Sequence, residues 1–185
     1  MSTVESQRAS DAVALVVMGV SGSGKSTIAA QVAGRLGYPY IDADDLHPPA
    51  NVAKMRSGTP LNDEDRWPWL DSVAETLDKV ASQAGGVVMA CSALRRIYRD
   101  RLRKGTDRAF RFIFLDASFD VIKDRLARRL HHFMPESLLI SQFETLERPG
   151  PDETDVLTIS ADQPPDVIVA QILAMLAANS RGSEA

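Results

Sequence analysis

The 185-residue sequence has few of the features that mark secreted, membrane or nucleic-acid-binding proteins. Cys91 is its only cysteine, so neither an intrachain disulfide nor a metal site built from several cysteines can form. The formal net charge is −4, whereas nucleic-acid-binding proteins usually carry a basic surface. The longest early apolar run, residues 12–20, is far shorter than the roughly 20 residues that span a bilayer. These absences predict a cytoplasmic protein that binds neither nucleic acid nor membrane.

Length and composition predict one domain. A chain with 44% hydrophobic and 25% charged residues over this length can bury a sizeable core. The first residues lack the apolar centre of a signal peptide. We expect residues 1–10 and 180–185, which are polar, to be disordered tails of a single domain at 11–179.

Short apolar runs alternate with amphipathic segments along the chain. The apolar runs predict buried strands at residues 12–19, 38–41, 86–92, 110–116 and 155–160. The remaining segments predict helices at residues 28–36, 67–83, 93–104, 118–130, 135–146 and 164–176. Strands that alternate with helices indicate an α/β fold, in which helices cover both faces of a five-stranded parallel sheet.

The stretch GVSGSGKS, residues 19–26, fits the phosphate-loop pattern and lies between a predicted strand and a predicted helix. In such loops, glycines turn backbone N–H groups toward the phosphates, and the helix N-terminus adds partial positive charge. Lys25 would reach the β- and γ-phosphates, and the Ser26 hydroxyl would bind Mg²⁺. The sequence therefore predicts a nucleoside triphosphate site formed by Gly19, Val20, Ser21, Gly22, Ser23, Gly24, Lys25, Ser26 and Thr27.

Two further absences narrow the class of enzyme. The chain has no Asn-Lys-x-Asp tetrapeptide to read guanine, and the third predicted strand ends in Met89-Ala90-Cys91 instead of an acidic residue. A carboxylate for the metal must come from elsewhere, and Asp42 and Asp44 follow the second strand. On an extended segment both would point the same way. One could orient a Mg²⁺-bound water while the other accepts the proton of an attacking hydroxyl; the alternative is that they cap the next helix.

A basic segment could supply cations for a transferring phosphoryl group. Helical spacing places Arg125, Arg128 and His132 beside an apolar stripe, with Arg129 at its margin. We interpret residues 125–137 as a mobile lid that closes over the nucleotide and excludes water. The alternative is a solvated basic face.

Several longer motifs resemble the gluconokinases. They are DADDLHPPANVAKMRSGTPLNDEDRWPWL, CSALRRIYRDRLR, SQFETLE and the QPP before the last helix, and the resemblance runs over residues 13–176. It implies transfer of the γ-phosphoryl group of ATP to the 6-hydroxyl of D-gluconate. It also implies the fold of the nucleoside-monophosphate and shikimate kinases, and the formation of a homodimer, because family members are often dimers.

The resemblance assigns roles to residues. Asp44 would be the catalytic base, and Asp42 would act on Mg²⁺ through water beside Ser26. Arg125 and Pro164 would flank adenine, while Arg128 or Arg129 would move in with the lid. The donors available for gluconate in these motifs are His47, Lys54, Arg66, Arg95, Arg96 and His132. A guanidinium matches a carboxylate with two hydrogen bonds, which favours Arg66 or Arg95 for that contact; the alternative for Arg66 is a structural pair with Asp63 or Asp65.

The chain departs from the family pattern at two positions. His131 stands where glycine is usual in the lid, and Arg95 stands where lysine is common. Neither change removes a group that the chemistry requires, although His131 would tolerate a positive φ poorly. The alternatives to this function are a kinase of the shikimate kinase type and a regulator that binds ATP without catalysis. A regulator would have no use for a base, and a shikimate kinase would have a further glycine-rich stretch where this chain has CSAL.

Overall fold

The computed structural model describes residues 13–106, 108–128 and 136–181. They form strands β1 (Val13–Met18), β2 (Tyr40–Asp42), β3 (Gly86–Ala90), β4 (Ala109–Asp116) and β5 (Val156–Ser160). The α-helices are α1 (Lys25–Leu36), α2 (Pro49–Arg56), α3 (Asp63–Ala84), α4 (Arg96–Lys104), α5 (Phe119–Ala127), α6 (Glu136–Thr145) and α7 (Pro165–Arg181). A short 3₁₀ helix, Ala43–Leu46, follows β2.

The described strands form one parallel sheet in the order β2–β3–β1–β4–β5. β1 is central, and its Val16 lies opposite Met89 of β3 and Phe112 of β4. The chain first builds the sheet on one side of β1 and then crosses to place β4 on the other side. In sheets of this kind, ligands bind beyond the carboxyl ends of the strands, where the strand order reverses. Residues 19–26 lie at that edge, directly after β1.

Both faces of the sheet are buried, which is why β1 is apolar without interruption. Leu15 and Val17 pack into a core that includes residues of α1, α5 and α7. Val16 and Met18 face the opposite core, which includes residues of α3 and α4. Successive side chains of a strand point to opposite faces, so only a continuous apolar run can supply two cores. The α/β fold with a five-stranded parallel sheet is therefore confirmed.

Several boundaries differ from those predicted. α3 begins at Asp63 because Asn62 and Asp65 form a reciprocal capping box, so Pro68 lies inside the helix and not in its first turn. Because proline has no N–H, the helix loses one internal hydrogen bond there. α4 begins at Arg96 instead of residue 93, and α7 continues to Arg181, beyond the predicted start of a tail.

The chain between β2 and α3 holds the 3₁₀ helix and α2, neither of which was predicted. Pro49 occupies the first turn of α2, where its missing N–H costs nothing. Asp42 is the last residue of β2, and the backbone turns immediately after it. The expectation that Asp42 and Asp44 lie on one extended segment is therefore wrong. The N-terminal tail predicted at residues 1–10 lies outside the described residues.

Candidate active site

Residues 19–24 form a tight loop between β1 and α1. Gly19, Gly22 and Gly24 have φ angles of 149°, 82° and 97°, which favour glycine. A Cβ at Gly22 would lie 3.1 Å from Ile122, so the loop also packs closely beneath α5. No side chain caps the start of α1 at Lys25, and its first backbone N–H groups can bind an anion. The loop therefore fits the phosphates of a nucleotide.

Asp42 is a hydrogen-bonding centre beside the phosphate loop. Its Oδ2 accepts from the Ser26 hydroxyl at 2.8 Å and from the Tyr40 hydroxyl at 3.0 Å. Its Oδ1 accepts from the Asp44 backbone N–H at 3.1 Å and so caps the 3₁₀ helix. Burial, together with the charge of Asp42, raises the pKa of Tyr40 to about 12, so the phenol stays a donor. Oriented in this way, the oxygen of Ser26 and the carboxylate nearby are the type of donors that Mg²⁺ prefers.

The 3₁₀ helix presents Asp44 to solvent at the edge of the sheet. The side chain of Asp44 is 71% exposed, and its Oδ1 lies 4.0 Å from Nε2 of His47. Trp69 of α3 anchors this turn to the core: its indole N–H donates a buried hydrogen bond of 2.7 Å to the Ala43 carbonyl. The Trp69 ring also stacks on His47, with centroids 4.2 Å apart. Burial lowers the pKa of His47 below its usual value, which favours the neutral imidazole near pH 7.

An open cleft of about 820 Å³ joins the phosphate loop to the segment around α2. Ser21, Lys25 and Asp44 line one side of it, and residues 55–61 line another. Helix α6 forms a wall through Leu138, Ser141, Gln142 and Thr145, which recur at helical spacing. The cleft thus brings the predicted base and the predicted phosphate-binding lysine to one space with room for a small acceptor.

Arg66 is the only predicted gluconate-binding arginine that lines this cleft, whose lining also includes Arg56 of α2. Its Nη1 donates to the Tyr98 hydroxyl at 3.2 Å, and that hydroxyl donates to Asp63 Oδ1 at 2.5 Å. This hydrogen bond from Tyr98, together with one from Arg95, holds the pKa of Asp63 below its usual range. Among the described residues, Arg66 forms no direct ion pair with a carboxylate. A structural pair with Asp63 or Asp65, the alternative raised by the sequence, is therefore not observed.

The other predicted acceptor cations are engaged in ion pairs and do not line the cleft. Lys54 contacts Asp65 at 2.7 Å, and Arg95 contacts Asp63 at 2.7 Å and Glu147 at 3.2 Å. Arg96 pairs with Asp152 at 2.6 Å and is half exposed. Of the predicted acceptor contacts, Arg66 and His47 line the cleft. Lys54, Arg95 and Arg96 instead form ion pairs outside it.

A buried guanidinium fixes the loop after β3. Arg99 is 1% exposed, and it forms two short hydrogen bonds to the Glu153 carboxylate, at 2.7 and 2.6 Å. It also donates to the carbonyls of Ala93, Leu94 and Glu147. Ala93 has φ 41°, a strained value for a residue with a Cβ, and its neighbours Ser92 and Leu94 line the cleft. Arg99 therefore holds a strained loop against the cleft.

One of the two predicted adenine-flanking residues, Arg125, contacts the segment between β5 and α7 that also carries the other, Pro164. Arg125 of α5 donates to the carbonyl of Ala161, three residues before Pro164 at the start of α7. Arg128 follows α5 and is exposed. The lid predicted at 125–137 falls largely on residues that are not described, as do the sites predicted at Arg129 and His132 and the unusual His131.

Two contacts at the site were missed from the sequence. The Ser21 backbone N–H donates to Oε1 of Gln142 at 2.6 Å, joining α6 to the phosphate loop. Gln142 lies in the motif SQFETLE, which contributes to the gluconokinase resemblance, but nothing in the sequence assigns a role to this residue. The hydroxyl of Tyr98 was missed as well, since its link to Arg66 spans 32 residues of chain and no local pattern reports it.

Metal-binding clusters and membrane-spanning helices are both absent from the part of the chain that the structure describes. Within residues 13–106, 108–128 and 136–181, no group of three or more His, Cys, Asp or Glu side chains could hold a metal ion. In the same ranges, no helix is long and apolar enough to cross a membrane.

Known proteins resemble this chain over most of its length. The family described as Shikimate kinase matches residues 21–177. The gluconokinase of Gluconobacter oxydans (strain 621H) is 49% identical over 159 residues, which are 86% of this chain and 88% of that protein. The thermoresistant gluconokinase of Escherichia coli (strain K12) is 46% identical over 161 residues, 87% of this chain and 91% of the relative. The chain belongs to the gluconokinase family.

Solved structures agree with this membership. A gluconokinase from Sinorhizobium meliloti 1021 is 45% identical, with a TM-score of 0.85 over 94% of this chain and 97% of the other. A shikimate kinase from Aquifex aeolicus superposes with a TM-score of 0.53 at 18% identity, covering 91% of this chain and 99% of the other, a likeness of fold alone. The resemblance inferred from the sequence is confirmed: this member of the gluconokinase family is a kinase with the phosphate-loop fold.

Proposed function

We propose that the chain transfers the γ-phosphoryl group of ATP to the 6-hydroxyl of D-gluconate, giving ADP and 6-phospho-D-gluconate. The observation that carries the proposal is the single cleft shared by Lys25, Asp44 and Arg66, in a chain 46–49% identical to gluconokinases. In the reaction, the hydroxyl oxygen bonds to the γ-phosphorus while the bond from that phosphorus to the β–γ bridging oxygen breaks. The hydroxyl proton passes to the enzyme.

The nucleotide would lie on the phosphate loop, residues 19–27. Backbone N–H groups at the start of α1 would hold its phosphates, and Lys25 would neutralise the β- and γ-phosphates. Bound Mg²⁺ would offset the negative charge of the phosphates. Ser26 is the residue that would hold it directly, and Asp42 would act through water, since its Oδ2 lies 2.8 Å from the Ser26 hydroxyl.

Asp44 would accept the proton of the acceptor hydroxyl. Its carboxylate is exposed to the cleft and forms no hydrogen bond with a described residue, whereas Asp42 already accepts three. Asp42 does not line the cleft, so Asp44 is the carboxylate placed to meet an acceptor hydroxyl. Neutral His47, 4.0 Å from Asp44, would contact an acceptor hydroxyl.

Arg66 would hold the gluconate carboxylate. It lines the cleft, and its guanidinium is oriented by Tyr98 without being neutralised by a direct carboxylate partner in the described structure. Lys54, Arg95 and Arg96 remain possible gluconate contacts only if their ion pairs open. We therefore place Arg66 ahead of Arg95, the two residues that the sequence left as alternatives.

The remaining parts of the proposal concern the lid and the whole molecule. Arg125 and Pro164 would flank adenine, and Arg128, Arg129 and His132 would close over the phosphates and the acceptor. The chain would act in the cytoplasm as one domain, residues 11–179, able to form a homodimer. Each of these parts was expected from the sequence.

A coupled ADP-release assay tests the function. The protein is incubated with ATP and Mg²⁺, and D-gluconate, shikimate, nucleoside monophosphates and no acceptor are compared. We expect turnover with gluconate only. Turnover with shikimate would favour a shikimate kinase, while slow acceptor-independent hydrolysis alone would favour a nucleotide-binding regulator.

A further inference from the structure

Gln142 contacts the phosphate loop from outside it. Its Oε1 accepts the backbone N–H of Ser21 at 2.6 Å, across 121 residues of chain. Gln142 belongs to α6, which follows the undescribed residues 129–135. The side chain is half-buried, and it shares the cleft with Lys25 and Asp44. The contact therefore places an amide at the junction of the loop and the acceptor space.

This contact fixes which way the amide points. A backbone N–H can only donate, so the atom of Gln142 that meets it must be the oxygen. The Nε2 group, with two donor hydrogens, then points elsewhere, and it makes no hydrogen bond to another described residue. Because Gln142 lines the cleft, this unused donor is available to a ligand that occupies it.

The position along the loop indicates which part of a nucleotide this donor would meet. Of residues 19–27, only Ser21 and Lys25 line the cleft, and a phosphate-loop lysine reaches the β- and γ-phosphates. Gly24, Ser26 and Thr27, beside Lys25 at the start of α1, do not line this space. The donor of Gln142 is therefore nearest the outer end of the triphosphate, on the side of Asp44.

We propose that Nε2 of Gln142 donates a hydrogen bond to an oxygen of the γ-phosphoryl group and makes Gln142 a catalytic residue of the transfer. During transfer, negative charge is spread over the three peripheral oxygens of that group, so a fixed donor stabilises the transition state. The inference rests on the proposed use of ATP, but not on the identity of the acceptor.

Nucleotide affinity in the absence of acceptor tests the proposal. Binding of ADP and of a non-hydrolysable ATP analogue, with nitrogen between the β- and γ-phosphorus, is measured by calorimetry with Mg²⁺ for wild type and Gln142→Ala. We expect the Kd of the analogue to rise about tenfold, the size expected for a lost hydrogen bond to a charged group, while the Kd of ADP changes little. kcat with gluconate should fall, and the KM for gluconate should stay near its wild-type value.

Gln142→Glu separates the donor from the structural contact. The carboxylate still accepts from Ser21 but cannot donate, and it brings negative charge toward the γ-phosphate. We expect Gln142→Glu to raise the Kd of the ATP analogue more than Gln142→Ala does, and to raise the Kd of ADP less than that of the analogue. Gln83→Ala, at an exposed position near the far end of α3, is the matched control and should change neither affinity.

The other outcomes overturn the proposal. Equal loss of affinity for ADP and the analogue in both variants would make Gln142 a structural latch on the loop. A rise in the gluconate KM with both affinities unchanged would make it an acceptor contact. If wild type binds both nucleotides but does not phosphorylate gluconate, the proposed function fails while the comparison of affinities still decides the role of Gln142.

Discussion

Asp42 and Asp44 have the same side chain, but their different surroundings give the two carboxylates different hydrogen bonds and different exposure. Asp42 accepts hydrogen bonds from Ser26, Tyr40 and the backbone of Asp44, so it is committed to holding the turn and the Ser26 hydroxyl. Asp44 is 71% exposed and faces the cleft. Of the two carboxylates, only that of Asp44 lines the cleft, which is why we propose it as the base.

We expect Asp44→Asn to lower kcat by about a hundredfold or more, since general base catalysis contributes about 10²–10⁴-fold. Asparagine keeps the shape of the side chain but cannot accept the proton at neutral pH. ADP affinity should be unchanged, because Asp44 does not belong to the phosphate loop. Turnover is measured by ADP release and affinity by calorimetry. Turnover near that of wild type would rule out Asp44 as the base.

Arg66 and Arg95 both contact the Tyr98–Asp63 pair but differ in what else they touch. Arg66→Ala should raise the KM for gluconate at least about tenfold and leave the KM for ATP nearly unchanged, because a charge-assisted contact to the substrate is lost. Arg95→Ala is the control, since Arg95 contacts Asp63 and Glu147 outside the cleft. Steady-state kinetics with each substrate varied in turn measure both effects. Equal changes in the two KM values of Arg66→Ala would indicate a structural role instead.

Helix α3 links the core to the turn that carries Asp44, the proposed base. Trp69 is 2% exposed, and its indole N–H holds the carbonyl of Ala43 while its ring stacks on His47. Asp44 therefore depends on a side chain 25 residues away in the sequence. The capping box at Asn62 fixes where α3 begins and hence where Trp69 stands.

Trp69→Phe should lower the free energy of unfolding by about 1–3 kcal/mol, because the buried Ala43 carbonyl loses its donor. kcat should fall as well, since the turn that carries Asp44 loosens. Trp67→Phe is the control: Trp67 is partly exposed and contacts Arg101 and the Tyr98 ring, contacts worth about 1 kcal/mol or less. Urea unfolding and ADP release measure the two effects. An equal loss of stability in both variants would contradict the importance of the indole hydrogen bond.

At the scale of the molecule, an ion-pair network ties α4 to the chain that leads into β5. Arg99 and Arg103 both bind Glu153, and Arg103 also binds Asp155. Hydrogen bonds from Arg99, and then from Arg103, hold the pKa of Glu153 at about 2, against an ordinary value of 4.5. Between about pH 2 and pH 4.5, Glu153 therefore binds fewer protons in the folded state than in the unfolded state.

This difference predicts an acid dependence of stability. The stabilisation from Glu153 is present above about pH 4.5 and is lost as pH falls toward about 2. Between about pH 5 and pH 3, wild type should lose more free energy of unfolding than Glu153→Gln, although the variant is less stable at neutral pH. Glu75→Gln, at an exposed position on α3, is the control and should follow wild type. Urea titrations at several pH values measure the difference, and parallel curves for wild type and Glu153→Gln would contradict it.

The strands, the phosphate loop and the family of this protein could all be predicted from local sequence patterns. Continuous apolar runs predicted the strands because a strand buried on both faces needs them, and the spacing of glycines, Lys25 and Ser26 predicted the phosphate loop because its backbone must curve around an anion. The long motifs around Asp44 and Arg66 resembled the gluconokinases, a membership that the comparisons confirm.

Tertiary structure decided which of several similar side chains meet in the cleft. The sequence left Arg66 and Arg95 as alternatives for the gluconate carboxylate, with Lys54 and Arg96 as further donors. Of these four cations only Arg66 lines the cleft, because the others form ion pairs with carboxylates on neighbouring segments. The contact of Gln142 with Ser21 and the hold of Trp69 on Ala43 likewise join distant parts of the chain. Periodicity and spacing report only neighbours along the chain, whereas these contacts arise when helices pack on the two faces of the sheet.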